Sequence, residues 1–302
     1  MNRELALGVI GFSEGNGHPY SWSALFNGYD PEAMQECGFP VIPSYLVEHR
    51  FPEESIPDAY VTRVWCPDPE RARHVAKACR IGEVCERPEE MIGVVDAVLL
   101  ARDDVESPQR RELVELFLDA GVPLFVDKPL ALSLSEAQAL LERQQWRGQI
   151  FSGSALAHAP ELAGARDRPP VGEVRYLEGI APKSWERYAV HAIDPALALL
   201  GEQGRVEGAT VSSATHTHVV TVRWESGLQG TFTILRDTPT RVGLRLHGEG
   251  GPLELRFLDT FGAFKAALEA FVRQVRERRP HPGQALLLPV IEVIEHGMAQ
   301  RA

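Results

Sequence analysis

The chain has 302 residues and carries 42 acidic against 31 basic side chains, a formal net charge of −11. An acidic surface of this kind is not expected to bind nucleic acid or an anionic membrane, and no apolar run approaches the roughly 20 residues that a membrane span needs. The four cysteines lack the spacing of a disulfide framework or a metal site, and no signal peptide is expected at the N-terminus. We therefore expect a cytoplasmic protein without a nucleic-acid or membrane partner.

Strands and helices alternate over the first 150 residues. Short apolar runs bounded by turn residues predict buried strands, and amphipathic segments with helix-capping residues predict the helices between them. The strands are predicted at 5–11, 59–66, 94–101 and 123–126, and the helices at 19–26, 31–36, 68–80, 109–120 and 133–145. Residues 38–57, rich in proline, are expected to be extended or irregular. This alternation predicts a parallel sheet with right-handed crossovers.

The pattern changes after residue 150. Several segments alternate apolar and polar residues and are joined by short turns, which predicts a mostly antiparallel, open sheet with one covered face. Strands are predicted at 172–180, 206–215, 218–224, 228–235, 241–246 and 253–257, and helices at 190–200, 261–278 and 284–298. The fold class is therefore α/β, with a parallel-sheet domain over residues 1–128 and an α+β domain over residues 129–302.

Lys128 follows the predicted strand at 123–126 and precedes Pro129. A residue before proline is held in an extended conformation, so this lysine cannot simply begin the next helix. Ligands of open parallel sheets bind beyond the carboxyl ends of the strands. Lys128 is therefore either a reactive group or a solvated loop lysine at a strand end.

A glycine-rich turn follows the first predicted strand, from Gly11 through Ser13 and Gly15 to Gly17. Backbone N–H groups in such a turn can bind a phosphate. The spacing departs from G-x-G-x-x-G because Ser13 stands at the second glycine position, and a flexible loop is an equally good interpretation. The second strand ends about 55 residues later instead of about 20, which predicts an insertion.

A second candidate site lies on the predicted helix at 190–200. On a helix, His191 and Asp194 are three residues apart and share a face, as do Arg187 and His191. An imidazole beside a carboxylate is suited to general acid–base catalysis, although a structural histidine is the alternative. No metal site is predicted, since His216-Thr-His218 lacks a third ligand and reads as two surface histidines.

Two segments together resemble the Gfo/Idh/MocA family of nicotinamide-dependent oxidoreductases. DKPLALSLSEAQALL, from Asp127, is similar to the family's E-K-P strand end and following helix. HAIDPALALLG, from His191, is similar to its H-x-x-D helix. The family order, a Rossmann-type domain followed by a domain with an open sheet, also matches.

The resemblance implies hydride transfer between nicotinamide C4 and a hydroxyl-bearing carbon of a sugar or cyclitol. By resemblance, Lys128 stabilises the reacting oxygen, His191 exchanges the hydroxyl proton, and Asp194 orients the histidine or binds substrate. Substrate contacts are expected at Lys183, Trp185, Arg187 and Tyr188. Contacts with NAD or NADP are expected at Gly11, Phe12, Ser13, Gly15, Cys66, Asp68, Ala101, Asp127 and Lys128. A homo-oligomer is also implied.

Three positions depart from the family pattern. Ser13 replaces a glycine, and Cys66 replaces the acid that selects a free ribose 2′-hydroxyl, so the choice between NAD and NADP stays open. Asp68 can substitute for that acid or cap the following helix. Arg187 replaces an aspartate found in many members and suggests an anionic substrate group or a pairing with a surface acid.

These departures leave alternatives to a dehydrogenase. One is a catalytically silent relative that binds a nucleotide or a sugar as a sensor or partner subunit. The other is a relative that uses NAD to cleave glycosides by transient oxidation. Retention of both Lys128 and His191 favours an enzyme.

Overall fold

The computed structural model describes residues 3–166 and 171–298. The chain divides into two compact units, and it enters each of them more than once. The first unit comprises Met1–Asp127, Leu140–Ser152 and Leu268–His281, and the second comprises Lys128–Ala139, Gly153–Ala267 and Pro282–Ala302. The chain first passes from the first unit to the second after Asp127, one residue before the predicted boundary. Two later segments, Leu140–Ser152 and Leu268–His281, belong to the first unit, although the prediction assigned them to the second domain. The ends of the predicted domains, residues 1–2 and 299–302, lie outside the described residues.

The first unit is built on a six-stranded parallel sheet. Its strands are β1 Leu5–Ile10, β2 Ala59–Trp65, β3 Glu83–Val84, β4 Ala97–Leu100, β5 Leu124–Val126 and β6 Ile150–Ser152. Their order in the sheet is β3-β2-β1-β4-β5-β6, and every pairing is parallel. Strands β4, β5 and β6 are buried along their whole length, as expected for strands covered on both faces. The predicted parallel sheet is confirmed.

Helices connect these strands. They are α1 His18–Asn27, α2 Pro31–Gln35, α3 Val41–Leu46, α4 Pro69–Ala78, α5 Pro108–Asp119 and α6 Leu134–Glu142. The α4 start is confirmed as predicted, because the Asp68 carboxylate accepts a hydrogen bond from the Glu70 N–H at 2.9 Å.

Two local predictions about the first unit are wrong. Residues 38–57 were expected to be irregular, yet they contain α3; Pro43 is tolerated there because the N–H groups of the first helical turn need no helical partner. The short strands β3 and β6 were not predicted, since two or three residues carry too little pattern to distinguish a strand from a loop.

The second unit contains a mixed sheet. Its strands are β7 Val174–Pro182, β8 Val206–Ser213, β9 Thr217–Trp224, β10 Gln229–Leu235, β11 Gly243–Gly248 and β12 Gly251–Arg256. Their order is β12-β11-β7-β10-β9-β8. The β7–β10 pair is parallel and the other neighbours are antiparallel. The predicted mostly antiparallel sheet is confirmed.

One face of this sheet forms the core of the second unit. Burial alternates along β9 and β10, and the inward face carries Trp224, Phe232 and Leu177, all at most 1% exposed. The remaining helices are α7 Pro160–Arg166, α8 Trp185–Tyr188, α9 Val190–Leu200, α10 Thr260–Glu277 and α11 Leu287–Met298. Helix α9 packs against β7 and α11, which fixes the helix that carries His191. Within the described ranges, no helix is both long and apolar enough to cross a bilayer.

Candidate active site

The glycine turn lies where the strand order of the first sheet reverses. The turn follows β1, and the Ser13 hydroxyl donates a hydrogen bond to Asp103 Oδ1 at 2.7 Å. The Asp103 N–H donates back to the Ser13 oxygen at 3.1 Å. Because Asp103 lies beyond the end of β4, these two bonds join the loops after two neighbouring strands. In open α/β sheets this reversal is where ligands bind.

Asp127 anchors the other side of the same turn. Its buried carboxylate accepts a 2.7 Å hydrogen bond from the Asn16 side-chain amide and lies 2.6 Å from His18 Nδ1. Its backbone carbonyl accepts from the Arg110 guanidinium at 2.7 Å. Sequence reasoning missed Asn16, His18 and Asp103, since only their positions in or next to the loops after β1 and β4 distinguished them from ordinary loop residues.

Backbone donors remain available in this turn for a phosphate. The N–H groups of Ser13 and Gly15 make no hydrogen bond to another residue in the described part of the chain. Gly15 has a φ of +73°, and a Cβ atom there would meet nothing within 4 Å. Asp103 and Asp127 bring negative charge nearby, but side-chain donors of the turn already bind both carboxylates. The turn therefore fits a phosphate group at its backbone N–H groups.

The first residue after β2 is a cysteine and not an acidic residue. Cys66 is buried there, and burial raises the pKa of its thiol to about 12. Asp68 caps α4, and the Arg71 guanidinium lies 5.3 Å from the centre of the Phe12 ring. The choice between the two nicotinamide dinucleotides stays open at this strand end.

The predicted cofactor residues of the first unit share one edge of its sheet. They lie in the loops after β1, β2, β4 and β5: Gly11, Phe12, Ser13, Gly15, Cys66, Asp68, Ala101 and Asp127. The Ala101 N–H donates to the Ile10 carbonyl at 2.8 Å, which holds the ends of β1 and β4 together. Their roles toward a cofactor remain predictions.

In the second unit, Lys128 and His191 both lie beside Tyr188. Lys128 is only 4% exposed, and its ammonium donates to the Arg187 backbone carbonyl at 3.5 Å. The same ammonium is 5.3 Å from the centre of the Tyr188 ring, and the His191 ring centre is also 5.3 Å from it. Lys183 bonds to the Tyr188 hydroxyl. Two ammonium groups and an imidazole therefore surround the phenol of Tyr188.

Ser154, which sequence reasoning missed, connects the two α9 residues of this group. Its hydroxyl lies 2.8 Å from His191 Nδ1, and its backbone N–H donates to Asp194 Oδ2 at 2.6 Å. Asp194 and His191 are therefore connected through Ser154, which the i, i+3 spacing alone did not indicate. Burial raises the pKa of Asp194 to about 7, and the Ser154 N–H opposes this rise.

Gly153 is the residue that permits this turn. Its φ is +139°, and a Cβ atom there would lie 2.7 Å from Asp194 Oδ2. A side chain at this position would therefore push the carboxyl away from the Ser154 N–H.

Two other predicted groups lie elsewhere in the second unit. Trp185 is buried, and its indole N–H donates to the Ile294 carbonyl at 2.9 Å, a position that favours core packing. His218 was expected at the surface but is 8% exposed, because it lies on the inward face of β9 between Ser213 and Gly297. No cluster of three metal-ligating side chains occurs among the described residues.

A family model matches one internal segment of the chain. Residues 46–153 match the Gfo/Idh/MocA model, described as an oxidoreductase family with an NAD-binding Rossmann fold. This segment runs from α3 through β6 and includes Lys128. No curated protein matches the chain.

Solved structures resemble the chain over nearly its full length. A dehydrogenase from Chromobacterium violaceum has a TM-score of 0.71 at 16% identity, covering 99% of this chain and 95% of that one. A myo-inositol dehydrogenase from Corynebacterium glutamicum has a TM-score of 0.70 at 15% identity, covering 98% and 96%. GenD2 from gentamicin A biosynthesis, solved with NAD, has a TM-score of 0.70 at 17% identity, covering 99% and 94%.

Likeness at these identities shows a shared fold. The sequence of residues 46–153 adds an independent match, and it contains the DKP segment from which the resemblance was inferred. The resemblance to the Gfo/Idh/MocA oxidoreductase family is thereby confirmed over residues 46–153.

Proposed function

We propose that this protein is an NAD- or NADP-dependent dehydrogenase or reductase that acts on a hydroxyl or keto carbon of a sugar-like or cyclitol substrate. The observation that carries the proposal is that the Lys128 ammonium and the His191 ring centre each lie 5.3 Å from the centre of the same Tyr188 ring. A protein that only bound a nucleotide would not need this pair. The names of the structural neighbours, which include inositol dehydrogenases, support the substrate class.

Lys128 is proposed to stabilise the reacting oxygen. Its ammonium is nearly excluded from solvent, and an ion–dipole interaction is stronger in such surroundings than in water. A hydrogen bond from this ammonium to the substrate oxygen strengthens as negative charge develops on that oxygen. This differential stabilisation lowers the barrier for hydride transfer.

His191 is proposed to exchange the hydroxyl proton. In the oxidation direction its imidazole accepts the proton as the C–O–H group becomes a carbonyl, and in the reduction direction it returns the proton. An imidazole suits both directions near neutral pH. Tyr188 and Lys183 are proposed to bind the remaining hydroxyl groups of the substrate, and Arg187 to bind an anionic group if the substrate has one.

The backbone N–H groups of Ser13 and Gly15 are proposed to hold the diphosphate of the dinucleotide. When bound, the nicotinamide ring accepts or donates the hydride. Phe12, Cys66, Asp68 and Ala101 line the same edge of the sheet.

Titration with reduced cofactors tests this proposal. Purified protein is titrated with NADH and, separately, with NADPH while nicotinamide fluorescence is followed, and the tighter cofactor is then used in its oxidised form with a panel of inositols, aldoses and sugar acids. Binding followed by substrate-dependent reduction of the nicotinamide is the expected result. Binding without turnover of any substrate would favour a catalytically silent relative, and a flat titration would contradict the proposal.

A silent relative has one observation in its favour. The carboxylates of Asp103 and Asp127 lie beside the turn that would bind a diphosphate, and their charge weakens binding of an anion. Replacing Asp103 with Asn tests whether this charge limits the affinity, because the variant would then bind NADH more tightly than the native protein does. An NAD-dependent glycosidase is distinguished by release of sugar from a glycoside without net nicotinamide reduction.

Two further properties are proposed. The family resemblance implies a homo-oligomer associated through the exposed face of the second sheet, which sedimentation at several protein concentrations tests. The four cysteines are all buried free thiols, which is consistent with a reducing, cytoplasmic compartment.

A further inference from the structure

The side chain and backbone of Ser154 each hold a different residue of α9. The hydroxyl accepts a hydrogen bond from the Leu156 N–H at 3.2 Å and lies 2.8 Å from His191 Nδ1. The backbone N–H donates to Asp194 Oδ2 at 2.6 Å. Because Ser154 caps the helical turn at 155–158, its hydroxyl is already fixed in place before any substrate arrives.

The chemistry of a hydroxyl differs from that of a carboxylate in this position. A carboxylate beside Nδ1 stabilises the imidazolium and raises its pKa, whereas a hydroxyl is neutral and has one donor and two acceptor sites. With one acceptor site used by Leu156, the second can receive a hydrogen bond from His191 Nδ1–H. That bond orients the ring without adding charge.

We propose that Ser154 is a positioning residue that holds His191 with the proton on Nδ1 and thereby makes Nε2 the proton-transfer atom. The catalytic meaning of this inference rests on the proposed function. In the oxidation direction the O–H bond of the substrate breaks and its proton moves to Nε2. The C–H bond of the carbon that bears this hydroxyl breaks at the same time, and its hydride moves to the oxidised nicotinamide. Nδ1 keeps its proton and its bond to Ser154 throughout, and reduction reverses these steps.

Asp194 holds the backbone of Ser154 in place. Its carboxyl accepts the Ser154 N–H and so fixes the backbone that carries the hydroxyl, and Gly153 leaves room for it. The elements packed around α9 carry further charged and titratable groups, which include His158, Glu186, Arg187, Tyr188, Glu292, Glu295 and His296. Any pH readout on His191 must therefore be compared between variants that leave all of these groups in place, as a substitution at Ser154 does.

The test measures the His191 ring directly in the free protein. Nitrogen-15 NMR of histidine-labelled protein, with the His191 signals assigned by a His191→Asn variant, reports which ring nitrogen carries the proton. The expected result is a neutral ring protonated on Nδ1 in the native protein and in Ser154→Thr, and a mixture of both tautomers in Ser154→Ala. A native ring protonated mainly on Nε2, or an unchanged tautomer ratio in Ser154→Ala, would overturn the proposal.

A matched control is available in the same unit. Ser213 lies 2.5 Å from His218 Nδ1, and His218 Nε2 lies 3.1 Å from the Gly297 carbonyl oxygen, so this pair repeats the serine–histidine contact away from the cluster. Ser213→Ala should leave the His191 signals unchanged. If Ser154→Ala does not fold, the native tautomer and the Ser154→Thr variant still decide the outcome.

Kinetics give a second readout once a substrate is known. Ser154→Ala should lower kcat about ten-fold with KM changed less than about two-fold, and Ser154→Thr should restore most of the rate. Because the NMR experiment needs neither cofactor nor substrate, a failed activity screen leaves the inference about the ring testable. Conversely, an unchanged ring in Ser154→Ala leaves the proposed dehydrogenase function standing.

Discussion

Asp194→Asn is expected to stabilise the protein above neutral pH. The carboxyl group is buried, and burial raises its pKa from an ordinary 3.8 to about 7. The folded state therefore binds this proton more tightly than the unfolded state does. Between about pH 4 and pH 7 the unfolded chain has lost the proton while the folded chain still holds it, so the free energy of unfolding falls as pH rises.

The size of the effect follows from the two pKa values. A difference between 3.8 and about 7 corresponds to about 4 kcal/mol that the carboxylate costs the folded state above pH 7. Asparagine keeps an oxygen that can accept the Ser154 N–H and removes the charge. For a unit of this size, about 4 kcal/mol corresponds to a rise in Tm of about 8–16 °C at pH 8 and little change at pH 4.

Calorimetry of the native protein and of Asp194→Asn between pH 4 and pH 8 tests this reasoning. Asp119→Asn serves as the control, since Asp119 is exposed and its pKa is lowered by Arg143, so that variant should show no gain at pH 8. Equal pH slopes for the native protein and Asp194→Asn would refute the assignment of a buried, protonated carboxyl.

Three further outcomes are expected. Lys128→Met should lower kcat by at least about 100-fold with cofactor affinity nearly unchanged, because the ammonium acts on the reacting oxygen. Gly153→Ala should destabilise the protein by about 1–3 kcal/mol in urea unfolding, since its φ and its Cβ contact with Asp194 are both unfavourable. Trp185→Phe should cost about 1–3 kcal/mol by removing a buried hydrogen bond to the Ile294 carbonyl and part of a buried side chain, with KM unchanged if the indole only packs.

Each of these predictions has a control variant or an outcome that would contradict it. Lys77→Met removes an exposed lysine of α4 and should leave kcat unchanged. Gly164→Ala, at a helical position where a Cβ meets nothing within 4 Å, should stabilise by about 0.5–1 kcal/mol. Full turnover in Lys128→Met would remove the ammonium from the mechanism, and a large rise in KM for Trp185→Phe would mean that the indole contacts substrate.

The order of the strands and helices could be predicted from the sequence because the buried faces of these elements carry apolar residues at regular spacing. The apolar runs of β1, β4 and β5 and the alternation along β9 and β10 reflect how many faces of each strand are covered. Strands β3 and β6 and helix α3 were not predicted, because strands of two or three residues and a short helix with a proline in its first turn carry little periodicity. The return of residues 268–281 to the first unit depends on contacts distant in sequence, which no local pattern records.

Some residues of the candidate site could likewise be chosen from the sequence, whereas others could be found only in the tertiary structure. Lys128, His191 and Asp194 could be chosen from the chain itself, since a lysine at a strand end before proline and an imidazole three residues from a carboxylate are chemically informative patterns. Only the tertiary structure brought Ser154 between His191 and Asp194, placed Tyr188 beside Lys128, and bound Asp127 to Asn16. Such contacts join side chains that are 37 to 111 residues apart, and their partners are selected by how strands and helices pack rather than by anything adjacent in the chain.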